Sequence, residues 1–195
     1  MNSSQPLSLD QPQAKGPATH NRARLFYSGA AALLLILAFL GFQQFYLHGR
    51  AYPARELAPP IRTLLILHGI AMSAWMLLFI VQPLLIVAGN RRVHIALGRV
   101  GAVLAACIVL LGLRVGIESV RITPPNMKVF GLAPKQFLAS PIFTILLFAG
   151  FVFVGVWNRR RPEVHRPMML LSVLALMPAP IDRLDAIQNI YMGTV

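Results

Sequence analysis

Residues 62–89 read RTLLILHGIAMSAWMLLFIVQPLLIVAG, and after Arg62 no Asp, Glu, Lys or Arg occurs until Arg91. A bilayer core about 30 Å thick is crossed by roughly 20 apolar residues in a helix. This stretch is therefore long enough to cross with tilt, and Pro83 predicts a kink. Outward from it, similar runs occupy residues 25–47, 97–117, 136–157 and 168–187. Together they predict an all-α polytopic transmembrane helical bundle of about five spans. The fifth is the least regular. Its unbroken part, Met168 to Ile181, is only about 21 Å long at 1.5 Å per residue. Crossing fully means continuing past Pro178, Pro180, Asp182 and Arg183, so a kinked span or a re-entrant segment is expected.

Composition agrees with burial in lipid. Of 195 residues, 56% are hydrophobic and 12% charged, with a mean hydropathy of +0.65. Soluble domains carry roughly 25% charged residues. The net charge of +12 comes from Lys and Arg placed between apolar runs, where they meet anionic head groups and set topology. A nucleic-acid partner would need those charges on one exposed face, so none is expected. The expected partners are the lipid bilayer and either a neighbouring helix or a second copy. Cys107 is the one cysteine, which excludes an intramolecular disulfide and a cysteine metal cluster.

Residues 1–24, rich in Ser, Gln and Pro, read as a disordered cytoplasmic leader. The run that follows is too long for a signal-peptide core of about 7–15 residues. Two short turns, Asn90 to His94 and Asn158 to Pro167, hold Arg91, Arg92, Arg159, Arg160, Arg161 and Arg166. Short loops obey the positive-inside rule best. Both turns are expected in the cytoplasm, with the N-terminus on that side of a bacterial inner membrane.

Within the second span, His68, Trp75 and Gln82 recur every seven residues. Seven residues make almost two helical turns, so the three share one face. Bare hydrocarbon penalises unsatisfied polar groups, so this stripe should face other helices or a cavity. The functional reading is a small-ligand, quinone or proton site. The bland reading is hydrogen bonding between helices, worth roughly 0.6–2 kcal/mol. Arg114 joins the ligand-binding candidates because it lies within the third span near the same membrane face as His68. An arginine snorkelling to the interface, paired with Glu118 one turn on, is the competing reading. Asp182, Arg183 and Asp185 would complete a polar cluster at that face.

At the other face, His94 and His165 sit beside Arg92 and Arg166. These four could hold a haem, a metal or an anion, since arginines pair with carboxylates and phosphates. Head-group contact is the alternative. His68 and His94 lie at opposite depths and cannot share one haem, which leaves an interfacial His94/His165 site as the haem arrangement the sequence admits. No phosphate loop, nucleophile elbow or HExxH motif occurs, so no purely protein metal site is expected and no catalytic residue is assigned. Asn90-Arg91-Arg92 with Val93-His94 echoes Asn158-Arg159-Arg160 with Val164-His165, as a duplicated two-helix hairpin would; bilayer selection of basic turns explains the same pattern. Gly98, Ala102, Ala106 and the pair Gly112, Gly116 are small-residue ladders that let helices approach closely.

The set Leu67-His68-Gly69, Trp75, Gln82, Arg92, His94, Leu97-Gly98 and Pro162-Glu163-x-His165-Arg166-x-Met168 resembles an uncharacterised family of bacterial multi-pass membrane proteins, known as a domain of unknown function. The resemblance covers roughly residues 62–183. It implies a fold and a compartment without a reaction, and further apolar sequence beyond Val195. Two functions are then expected to compete: binding of a small ligand or redox cofactor in a polar intramembrane site, or a non-enzymatic role as a transporter component or assembly subunit.

Overall fold

The fold, known from a computed structural model, is described for residues 17–51, 55–57, 59–124, 126, 132–184 and 187. It is a helical bundle. Helix α1 (Pro17–Gly41) is followed by the short α2 (Gln43–His48) and a small antiparallel ribbon, β1 (Arg50–Ala51) with β2 (Arg55–Glu56). Then come α3 (Arg62–Val87), α4 (Arg91–Ile122), the single turn α5 (Pro134–Phe137), α6 (Ala139–Trp157), α7 (Pro162–Leu176) and α8 (Pro178–Ile181).

Each long helix packs on the next: α3 on α4, α4 on α6, α6 on α7. Helix α1 closes the ring by touching α3 on one side and α7 with α8 on the other. The centre holds Leu34, Trp75, Ile108, Phe148, Val173 and Leu176. Trp75 meets Phe148 edge to face, with ring centres 5.1 Å apart. Large apolar side chains such as Leu77, Leu84, Val103, Leu110, Phe143 and Phe153 point outward. A soluble domain does not display such a belt; a bundle in lipid requires it.

Four helical stretches are long and apolar enough to cross a membrane: Arg62–Val87, Arg91–Ile122, Pro134–Trp157 and Pro162–Ile181. The chain is a multi-pass α-helical membrane protein. The last stretch is kinked as expected, broken between α7 and α8 at Pro178, but it is longer than its unbroken apolar part suggested. The last stretch begins at Pro162 rather than Met168, because Pro at the first helical position costs no hydrogen bond and brings φ already suited to a helix. Its 20 residues reach about 30 Å. Helix α1, 25 residues long, carries the apolar stretch Phe26–Gly41.

Two other boundaries differ from expectation. Helix α1 starts at Pro17, so the end of the supposed disordered leader is helical; the leader's residues 1–16 lie outside the described residues. Helix α4 runs on to Ile122, past the expected end at 117, because Glu118 bonds back to Arg114 and forward to Arg121 and keeps the last turns wound.

Glycines set the closest approaches. A Cβ on Gly101 would meet Leu78, one on Gly112 would meet Ile145, and one on Gly116 would meet Leu138. The expected small-residue motifs therefore serve packing inside this chain. Ala102 and Ala106 instead line an outward groove of about 330 Å³ between α4 and α6.

Candidate functional site

Helix α3 carries the stripe. Its positions lie about 10 Å apart along the axis at 1.5 Å per residue. His68 Nδ1, Trp75 Nε1 and Gln82 Oε1 are all buried without a hydrogen-bond partner, and they are the three such side-chain atoms among the described residues. The cause lies across the seam. A Cβ built on Gly98 would sit 3.5 Å from Gln82 Nε2, and one on Gly112 would sit 3.5 Å from His68 Cε1. Ala105, midway between these glycines, is buried in the same cluster as Trp75.

Gly98, Ala105 and Gly112 thus repeat at the stripe's own seven-residue spacing. They stand as far after Asn90 as Gln82, Trp75 and His68 stand before it. An antiparallel hairpin turning at Asn90 brings the two rows face to face. Small residues give the polar side chains room but no side-chain partner, and a helical backbone has already used its own donors and acceptors. The polar row is legible in the sequence as a polar period; its small-residue counterpart was not recognised there. The shared period of seven, mirrored about the turn, was the available signal.

Arg114 does not join the stripe. Its guanidinium lies 3.5 Å from Glu118, which also takes Arg121 at 2.9 Å, and the Arg114 side chain is 67% exposed. This is an exposed pair, worth at most about 1 kcal/mol. Arg114→Ala is therefore expected to move the thermal midpoint by no more than about 2–4 °C and to leave any seam ligand bound. A loss of ligand would restore the arginine to the site. Arg183 packs its guanidinium 5.0 Å above the Phe42 ring and donates to the Ala179 carbonyl, which places it at the joint of α1 and α8. Asp185 lies outside the described residues.

His94 and His165 come together. Their ring centres are 6.5 Å apart and their planes perpendicular. His94 Nδ1 lies 3.4 Å from the Gln82 carbonyl, and His165 Nδ1 lies 2.8 Å from the Gly155 carbonyl. A carbonyl only accepts, so both Nδ1 atoms carry the proton in these bonds. The Gly155 bond has a local reason. Near the end of α6, Val154 and Val156 carbonyls accept from Asn158 and Arg159 amides, while Gly155 would be left among the orphan carbonyls of the last turn. His165 satisfies it. Each hairpin is thus closed the same way, by a histidine reaching back to the preceding helix. Arg92 is exposed and Arg166 half-buried beside the pair, and among the described residues neither is in an ion pair.

Two surface recesses lie away from the stripe: the α4–α6 groove, and one of about 520 Å³ lined by Trp157, Asn158, Arg159, Arg160 and Arg161. The seam itself is packed, and its chemistry rests on orphan atoms. No family model, no curated protein and no solved structure matches the chain.

Proposed function

We propose that this protein, in a bacterial inner membrane with its arginine-rich turns in the cytoplasm, binds a small hydrogen-bonding ligand in the α3–α4 seam. One observation carries the reading: three buried polar atoms without partners stand in a row opposite Gly98, Ala105 and Gly112. An unsatisfied buried group costs about 1–3 kcal/mol. Three together cost a large share of the roughly 5–15 kcal/mol that holds a domain folded. A ligand that met them would recover that cost. A neighbouring protein's helix is a poor candidate, because the atoms are enclosed by this chain's own helices.

The needs of the row define the ligand. Trp75 Nε1 donates and wants an acceptor; Gln82 Oε1 accepts and wants a donor; His68 Nδ1 takes either according to its tautomer. Neighbouring positions are about 10 Å apart, so one small molecule can reach two of them at most; a lipid-soluble molecule with carbonyl and hydroxyl groups, of the quinone–quinol type, offers both an acceptor for Trp75 and a donor for Gln82. Redox-linked chemistry is the natural use of such a site.

Organic extraction of the detergent-purified protein, followed by mass spectrometry, tests this. A small lipid-soluble compound should accompany the wild type near one per chain and be lost from the Trp75→Phe/Gln82→Leu double variant. Identical extracts from both would end the proposal. For topology, a cysteine at Asn158 in a Cys107→Ala background should react with an impermeant maleimide only after the cells are permeabilised.

A further inference from the structure

We infer that His94 and His165 are the two axial ligands of a haem held at the arginine-rich end of the bundle. The inference is independent of the seam ligand. It begins with the imidazoles. Each Nδ1–H is engaged by a backbone carbonyl of a different helix, Gln82 in α3 and Gly155 in α6. In the neutral ring the lone pair is then on Nε2, and among the described residues no hydrogen bond reaches either Nε2. Metal-ligating histidines usually have the Nδ1–H held by a carbonyl in this way, which sets tautomer and ring orientation.

The separation of the rings is informative. A metal–nitrogen bond is about 2.0–2.1 Å, and a ring centre lies about 1.1 Å behind its nitrogen. Two imidazoles on opposite sides of one metal therefore have centres about 6.3 Å apart, whereas a tetrahedral ion draws them to about 5 Å. The observed 6.5 Å is too wide for the tetrahedral case and compatible with the collinear one, as are the perpendicular ring planes.

Charge then selects the species. Arg91, Arg92, Arg159, Arg160, Arg161 and Arg166 lie in the two turns that carry the pair, and Glu163 is the acid in the same turns. A bare divalent cation would be repelled there. It would also lack further ligands, since no group of three or more His, Cys, Asp or Glu gathers among the described residues. A haem has neither difficulty. It brings four nitrogens of its own, needs two axial ligands, and carries two carboxylates that pair with arginine. The ends of α3, α4, α6 and α7 meet at this point, a common setting for a cofactor between helices.

The test is the full chain expressed with added haem precursor and purified in detergent. Expected are a low-spin Soret spectrum that shifts on reduction with dithionite and about one haem per chain by the pyridine haemochrome assay. His94→Ala and His165→Ala should each abolish the low-spin spectrum, and added imidazole should restore it. The Arg92→Gln/Arg166→Gln variant should bind hemin about tenfold more weakly. Gel filtration and circular dichroism of the alanine variants identify any that merely unfold, and for those His94→Met or His165→Met should give a changed but still low-spin spectrum. A colourless wild type that also fails to take up hemin on titration, a Soret band unchanged in both alanine variants, or a metal ion bound without porphyrin would each overturn the inference.

Discussion

The Gln82→Leu protein, freed of any bound small molecule, is expected to melt at a higher temperature than the wild type. Leucine nearly matches glutamine in volume and brings no polar atom. The substitution removes the cost of an unsatisfied Gln82 Oε1 beside Gly98, about 1–3 kcal/mol. For a chain of this length that is a rise of several degrees. The order should reverse when ligand is present, because the wild type then gains its binding energy and the variant does not. Differential scanning fluorimetry before and after delipidation reads both states. If the stripped variant melts lower, Gln82 already has a partner and the seam is ordinary packing. A polar residue whose removal stabilises the empty protein and weakens the loaded one is performing a function, since stability alone would not retain it.

Gly41→Ala should have the largest effect in the opposite direction. A Cβ on Gly41 would fall on the backbone of Pro180, where α1 meets α8, and no rotamer change can clear a backbone. Overpacking costs about 1–3 kcal/mol where side chains can yield; here a helix must move. The thermal midpoint should drop by at least several degrees, with α1 losing its seat against α7 and α8. Gly29→Ala makes the comparison fair, because nothing lies within 4 Å of the added methyl. There, only helix propensity acts, and it favours alanine by up to about 1 kcal/mol. Equal melting of the two variants would show that the α1–α8 contact does not support the fold.

What could be read from the sequence follows the strength of each physical pattern. The charge-free run from Thr63 to Val87 decided the class, because nothing but lipid rewards so long a stretch dominated by apolar residues. The stripe of His68, Trp75 and Gln82, and its turning toward other helices, were legible because helical periodicity is local. Which residues stand opposite was not, because that depends on which face of α4 turns toward α3. Helix ends were harder. Pro162, Glu163, His165 and Arg166 look like a loop by hydropathy, yet proline starts a helix well and the interface tolerates charge. Arg114 was drawn to the site by depth alone; its rotation around α4 points it to Glu118 and outward. The pairing of His94 with His165 needed the ring of helices, since α4 and α7 are brought together only by α6 between them.

The break after Gly41 has a consequence for the second long helix. Past it, the Tyr46 hydroxyl of α2 donates to Ser73 at 2.8 Å, and Phe45 covers Gly69, so α2 lies against the turn of α3 that follows His68. The first helix is thereby latched to the one that carries the polar row, and a load applied to either is passed to the other.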